Sequence, residues 1–207
     1  GLLWFGGSVN FNVLPRHIHG PSEQVVGGRL FIEGAHHMTA RDVYTGRVIW
    51  ERELPNLGTY YKGALDFNPA HYSGANVVGT NYVCANDGVY IARGAALLRL
   101  DPATGNTIQT FSLTQGATAG ADFVQLRIWD NLLIVGADPV LYPGDVGEMN
   151  WNETSCRDLV VMDRYSGQVK WQRRAEHSFH HNTIIVGKTS RRDILFCIDR
   201  VPPGQAD

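Results

Sequence analysis

Leu159-Val160-Val161-Met162-Asp163-Arg164-Tyr165-Ser166-Gly167-Gln168-Val169-Lys170-Trp171 decides how this chain is read. An apolar run of four residues meets an Asp, then Ser and Gly at fixed offsets, then a short β-type run ending in Trp. The Asp side chain can accept backbone N–H groups two and three residues on and so close an Asx-type turn. Gly at the fifth place supplies the positive φ that a tight reversal between two strands requires. The Ser hydroxyl can satisfy a further donor. Asp163 is therefore expected to form a turn and not to act as a catalytic carboxylate.

The same order of residues occurs earlier as Asp42-Val43-Tyr44-Thr45-Gly46 and Asp101-Pro102-Ala103-Thr104-Gly105. The glycines of successive copies lie 59 and 62 residues apart. Self-similarity at such a period is the mark of a repeat architecture. Four residues past each Gly stand Trp50, Gln109 and Trp171. A large aromatic at a fixed place suggests a packing knob between neighbouring units, and the copy with Gln109 is expected to make the weaker joint. The last residues, Leu195-Phe196-Cys197-Ile198-Asp199, match the start of the motif and are expected to open a fourth copy.

Around the motif the chain reads as strands. In the second unit these are residues 81–86, 89–93, 96–101 and 107–113, with Asn86-Asp87-Gly88 as a hairpin signal. In the third they are 123–129, 132–135, 159–163 and 169–173, turning first at Asp130-Asn131. The first unit shows 29–33, 38–42 and 47–53, with an opening strand expected at 23–26. Runs such as Leu159 to Met162 are apolar on both faces, as in a strand packed on two sides. No long amphipathic helix is legible. Four strands per unit, repeated, predict an all-β chain: a β-propeller of four-stranded antiparallel blades, incomplete, with about three and a half blades. The expected blades span 15–58, 59–114, 115–175 and a truncated 176–207 of a single partial propeller.

These residues resemble the PQQ-like, quinoprotein-type propeller repeat family, whose units end in apolar–Asp–x–x–Thr–Gly–x–x–x–Trp. Asp42 to Trp50 shows the pattern in full, and Asp163 to Trp171 shows it with Ser for Thr; Asp101 to Gln109 lacks the Trp. The resemblance covers roughly residues 23 to 207. It implies a ring of seven or eight blades, so that missing blades of the same protein, or self-association, would close the circle. It also implies a periplasmic or otherwise exported location. Trp129-Asp130 resembles the WD40 dipeptide but stands alone.

Activity does not follow from fold. The family includes quinoprotein dehydrogenases that hold pyrroloquinoline quinone and calcium on the propeller axis. It also includes non-enzymatic members similar to outer-membrane assembly factors. The sequence is rich in turn chemistry and shows no Walker loop, Rossmann fingerprint, GxSxG or HExxH. The leading expectation is a non-catalytic binding or scaffold propeller that presents loops to a protein or small-molecule ligand, with no cofactor. The alternatives are a segment of a quinone- and calcium-dependent alcohol or sugar dehydrogenase, and an accessory module of a larger enzyme. The adjacent Cys pair of many such dehydrogenases is absent from the sequence.

Positions just before a blade's first strand tend to reach the central channel, where convergent polar groups make a pocket. Arg16, His19, His71, Tyr72, Asn76, Asp122, His180, His181 and Asn182 fall there and are the expected ligand-binding residues. Histidines cluster at His17 and His19, at His36-His37, and at His177, His180 and His181. Metal ligation by them stays open, with no Cys or carboxylate at zinc-type spacing. The longest insertion, Asp138 to Cys156, carries Tyr142, Asp145, Glu148 and Trp151 as further candidates.

Bulk numbers fit a globular β protein. The chain has 207 residues, 43% hydrophobic and 18% charged, with 23 Gly and 9 Pro. A net charge of −2 gives no reason to expect nucleic acid as a partner. No apolar run approaches the ~20 residues of a membrane span. Three cysteines, an odd number, do not make a disulfide framework, and Cys84 and Cys197 are expected to be buried strand residues.

Overall fold

The computed structural model describes residues 23–34, 36–55, 57, 81–114, 118–140, 155–180 and 183–199. The described chain is a partial β-propeller. Its first sheet runs β1 (Gln24–Val26), β2 (Arg29–Gly34), β3 (His37–Asp42) and β4 (Val48–Glu53). The second runs β5 (Tyr82–Ala85), β6 (Gly88–Arg93), β7 (Ala96–Leu100) and β8 (Thr107–Phe111). The third runs β9 (Phe123–Trp129), β10 (Leu132–Val140), β11 (Ser155–Asp163) and β12 (Val169–His180). The fourth, among the described residues, holds β13 (Ile185–Lys188) and β14 (Asp193–Phe196). In each sheet the strands pair with their sequence neighbours, all antiparallel. The first strands come together, β1 beside β5 and β5 beside β9, so they lie innermost.

The three corners share one set of hydrogen bonds. Asp42 Oδ1 accepts from Tyr44 N at 3.0 Å and Thr45 N at 2.7 Å, and Asp163 Oδ1 accepts from Tyr165 N at 3.1 Å and Ser166 N at 2.8 Å. Asp101 Oδ1 accepts likewise from Ala103 N and Thr104 N. The hydroxyls of Thr45 and Ser166 donate to the same oxygens at 2.9 Å. Gly46, Gly105 and Gly167 each donate N–H back to the Asp carbonyl at 2.8 Å, with φ of 71°, 73° and 74°. Past each corner the outer strand carries the same bulge. Ile49, Ile108 and Lys170 are the extra residues, so Trp50, Gln109 and Trp171 return to register opposite Ala40, Arg99 and Val161.

The core lies in the seams between sheets. Phe31, Met38, Ala40 and Trp50 of the first sheet pack on Tyr82, Val89, Ile91 and Leu100 of the second. Tyr90, Leu97, Phe111 and Leu113 of the second pack on Phe123, Leu126, Leu133 and Val135 of the third. Trp50 lies on Gly105 and donates from Nε1 to the Pro102 carbonyl at 3.0 Å. At the next seam the knob is two residues further along: Phe111, on the same face of the strand as Gln109, lies on Gly167. The joint expected to be weak is thus filled by a phenyl ring that is 6% exposed.

Several strand limits differ from expectation. β10 and β11 extend to Val140 and from Ser155, and β12 continues to His180, because each finds a partner across the ladder. Among the described residues, Leu195 to Asp199 does not open a fourth corner. It belongs to β14 and the residues after it, as the second strand of its unit. Asp199 turns its carboxylate to β12, taking Glu176 N, His177 N and Ser178 N at 2.7, 2.9 and 3.0 Å. Thirty-six residues past Asp163 is also too soon for a repeat of about sixty. All three cysteines are free thiols. Cys156 is the fully buried one, while Cys84 is half-buried in β5 and Cys197 half-buried just past β14.

Candidate functional site

The strand order puts two kinds of connection on opposite faces of the propeller. The Asp-x-x-Thr/Ser-Gly corners and the β1–β2, β5–β6 and β9–β10 hairpins share one, the corner face. The starts of β5, β9 and β13 share the other, the loop face, with the ends of β2, β6 and β10. Polar residues are sunk into the apolar strands at the loop face.

Glu33, at the end of β2, is one. Its Oε1 accepts from Asn81 Nδ2 at 2.6 Å across the first seam. Both side chains are buried. Burial pushes the Glu33 carboxyl up to about 8, against the pull of that hydrogen bond, so the group keeps its proton at neutral pH. Glu33 Oε2 and Asn81 Oδ1 have no other partner among the described residues.

Gln24 does a related job at the axis. Its Nε2 donates to the Tyr82 carbonyl at 3.0 Å and its Oε1 accepts from Cys84 N at 2.8 Å. The side-chain amide thus takes up the inner edge of β5 as a neighbouring strand would, and an open edge is what propellers must protect.

At the third sheet Arg174 bridges two acids. Its Nη1 donates to Asp158 Oδ2 at 2.6 Å and its Nη2 to Asp138 Oδ2 at 2.8 Å. Asp158 is fully buried, and burial raises its carboxyl although Arg174 opposes the shift. Burial also raises the Asp199 carboxyl, but the three amides of β12 outweigh it and hold the group below its usual range. Burial pushes the Cys156 thiol up, which leaves it an inert packing group.

A groove of about 620 Å³ runs along the innermost strands past Gln24, Val83, Leu126, Arg127, Trp129 and Ile185. Its walls are mostly apolar. Arg127 is the one charged side chain among the described residues that line it, and burial lowers its guanidinium from the ordinary value.

Of the residues expected to bind ligand, Asp122 and His180 are described. Asp122 stands just before β9, half-buried, and its carbonyl accepts from Asp138 N at 2.9 Å. His180 is a buried strand residue opposite Ser155, not a loop residue. No apolar alternation marks residues 174–180, and pairing with β11 makes the strand. Arg16, His19, His71, Tyr72, Asn76, His181 and Asn182 lie outside the described residues, as do Asp145, Glu148 and Trp151 of the insertion. Among the described residues no three of His, Cys, Asp and Glu gather as metal ligands. Sequence reading passed over Glu33, Gln24, Arg127, Asp158 and Arg174. A single polar residue inside an apolar run, as in Leu30-Phe31-Ile32-Glu33, was the available signal.

On the corner face, Asp87 takes Arg99 Nη2 at 3.1 Å and pairs with Arg164 Nη1 at 2.9 Å, a charge contact whose N–H does not point at the oxygen. Arg99 and Arg164 also sit 5.3 and 4.8 Å from the Tyr165 ring centre. This network ties the second sheet to the third.

No family model and no curated protein matches the sequence. Solved structures do. Quinohemoprotein alcohol dehydrogenase from Comamonas testosteroni matches at 18% identity and a TM-score of 0.47, over 75% of this chain and 21% of that one. BamB from Moraxella catarrhalis matches at 13% identity and 0.45, over 83% and 40%. A europium-containing methanol dehydrogenase matches at 14% identity and 0.47, over 81% and 26%. All three are PQQ-like β-propeller proteins. The chain spans between about a fifth and two-fifths of their lengths.

Proposed function

We propose that this chain is a non-catalytic binding or scaffold part of a PQQ-like propeller. It takes an extended apolar segment with an anionic group, from a protein or small ligand, in the groove along its innermost strands. The observation that carries this is the groove itself: apolar walls from Leu126, Trp129 and Ile185 beside Arg127, the one cation among the described residues that line it. Such walls desolvate a ligand while one charge fixes its direction. An exported, periplasmic setting accompanies this reading.

The dehydrogenase alternative requires carboxylates for calcium beside a planar quinone. Four of the described acids there are already engaged: Glu33 by Asn81, Asp138 and Asp158 by Arg174, and Asp199 by three amides. These residues do not assemble that site, and no chemical step is derived through it.

The test titrates the peptide acetyl-Val-Leu-Val-Phe, with a free carboxylate, into the protein and follows Trp emission, since Trp129 lines the groove. Saturable binding is expected, weakened about tenfold by Arg127→Gln or by amidating the peptide. A flat titration rejects the reading. Saturable binding of pyrroloquinoline quinone with calcium would transfer it to the dehydrogenase class.

A further inference from the structure

β8 differs from the other two outer strands in what it shows along its open edge. It is the edge strand of the second sheet, as β4 and β12 are of the first and third. An edge presents unpaired backbone groups to any strand that passes, and charged side chains are the usual guard. β4 carries Glu51, Arg52 and Glu53, and β12 carries Lys170, Arg173 and Arg174. β8 reads Thr107-Ile108-Gln109-Thr110-Phe111 and carries none. The neutrality reaches well beyond the strand: no charged residue occurs from Pro102 to Ala121.

The three edges share one bulge, so the bulge does not tell them apart. The residue each presents there does. It is Ile49 on β4, Ile108 on β8 and Lys170 on β12, and Ile108 is 50% exposed against 38% for Ile49. Thr107 and Thr110 are exposed beside Ile108, while Phe111 turns inward. β8 thus offers solvent three β-branched side chains, the kind that packs well on a pleated neighbour. Across a twofold axis an edge strand meets its own copy. Glu51 and Glu53 lie on one face of β4, so that strand would set Glu against Glu, and β12 would set cation against cation. β8 brings no charge to such a pairing.

We infer that β8 is a docking edge for β8 of a second copy of this chain. The two strands run antiparallel about a twofold axis and join two four-stranded sheets into one of eight. Main-chain hydrogen bonds supply the affinity, and the β-branched side chains of the two strands pack on one another. The contact uses the same strand on both copies, so it closes on itself and stops at two. The groove along the innermost strands lies beyond the opposite edge of the sheet, so pairing leaves it open.

The test is sedimentation of the 207-residue chain over roughly 1–100 µM, the range of a small interface, with hydrogen exchange at both ends of that range. A reversible monomer–dimer equilibrium is expected, with nothing larger. The β8 amides should exchange at least about tenfold more slowly at the high concentration, while those of β4 and β14 should not change. Ile108→Lys, which gives β8 the residue type that β12 carries at that place, should hold the chain monomeric. Ile108 is exposed, so the change leaves the core intact. Ile49→Lys, the same change on β4, should leave the dimer as it was. A chain still monomeric at ~100 µM overturns the inference. Protection of β8 by the free peptide of residues 105–114 in that case would make a strand of another protein the occupant. A dimer that Ile108→Lys does not weaken, or one that protects β14 and leaves β8 unprotected, overturns it equally, since the copies then meet elsewhere.

Discussion

Trp50 and Gly105 meet across the first seam with no room for a side chain: a Cβ on Gly105 would fall 2.8 Å from indole Cδ2 and Cε3. Gly105 also sits at φ 73°. Gly105→Ala therefore combines left-handed strain with displacement of a ring anchored through its N–H, for a loss of about 2–4 kcal/mol. Gly28 has a similar φ of 75° but nothing within 4 Å of the added Cβ. Gly28→Ala should cost only the strain, about 1 kcal/mol. Urea unfolding of the two variants checks the difference, and equal losses would mean that the seam yields freely.

Glu33 fixes a pH dependence whose sign runs against the usual acid loss. Its folded pKa of about 8 lies above the ordinary 4.5. Between these values the folded chain holds a proton that the unfolded chain has released, so stability falls as pH rises. The slope from this group is about 1.4 kcal/mol per pH unit and flattens above pH 8. Glu33→Gln keeps a neutral partner for Asn81 and should remove this component. Unfolding midpoints between pH 5 and 9 should diverge, with the variant ahead at high pH. Parallel curves would show that Glu33 is ionised throughout.

Gln24→Val should uncover the β5 edge. Two hydrogen bonds are lost, worth about 1–3 kcal/mol together. The local readout is the Cys84 amide, which donates to Gln24 Oε1. Its hydrogen exchange should accelerate more than that of amides in β6. An unchanged Cys84 rate would place its protection elsewhere.

Arg174→Met should strand the buried Asp158 carboxylate and destabilise by about 1–3 kcal/mol, less than the roughly 3–5 kcal/mol of a fully buried pair because Arg174 is half-exposed. Asp158→Asn in the same background should restore most of the loss. A double-mutant cycle in urea measures it, and strict additivity would show that the two groups act independently.

What sequence could show and what it could not divides along contact distance. The corners are legible because Asp42, Thr45 and Gly46 satisfy one another within five residues. Their order alone places three sheets. Phe111 was missed as the second knob because strand pleat, not the motif's spacing, brings it over Gly167. Leu195 to Asp199 misled because five residues of local likeness outweighed the period. The Glu33–Asn81 pair spans 48 residues, and only the packing of two separate sheets brings it together. Arg174 likewise meets Asp138 and Asp158 only once three strands are paired. The candidate groove is assembled from four first strands, none of which announces it alone.

The knobs all face one way along the chain. Trp50 of the first sheet covers the second sheet's corner, and Phe111 of the second covers the third's. As the polypeptide leaves the ribosome, each new corner meets an aromatic that has already been translated. A sheet can settle at once on the platform before it and need not wait for the one behind.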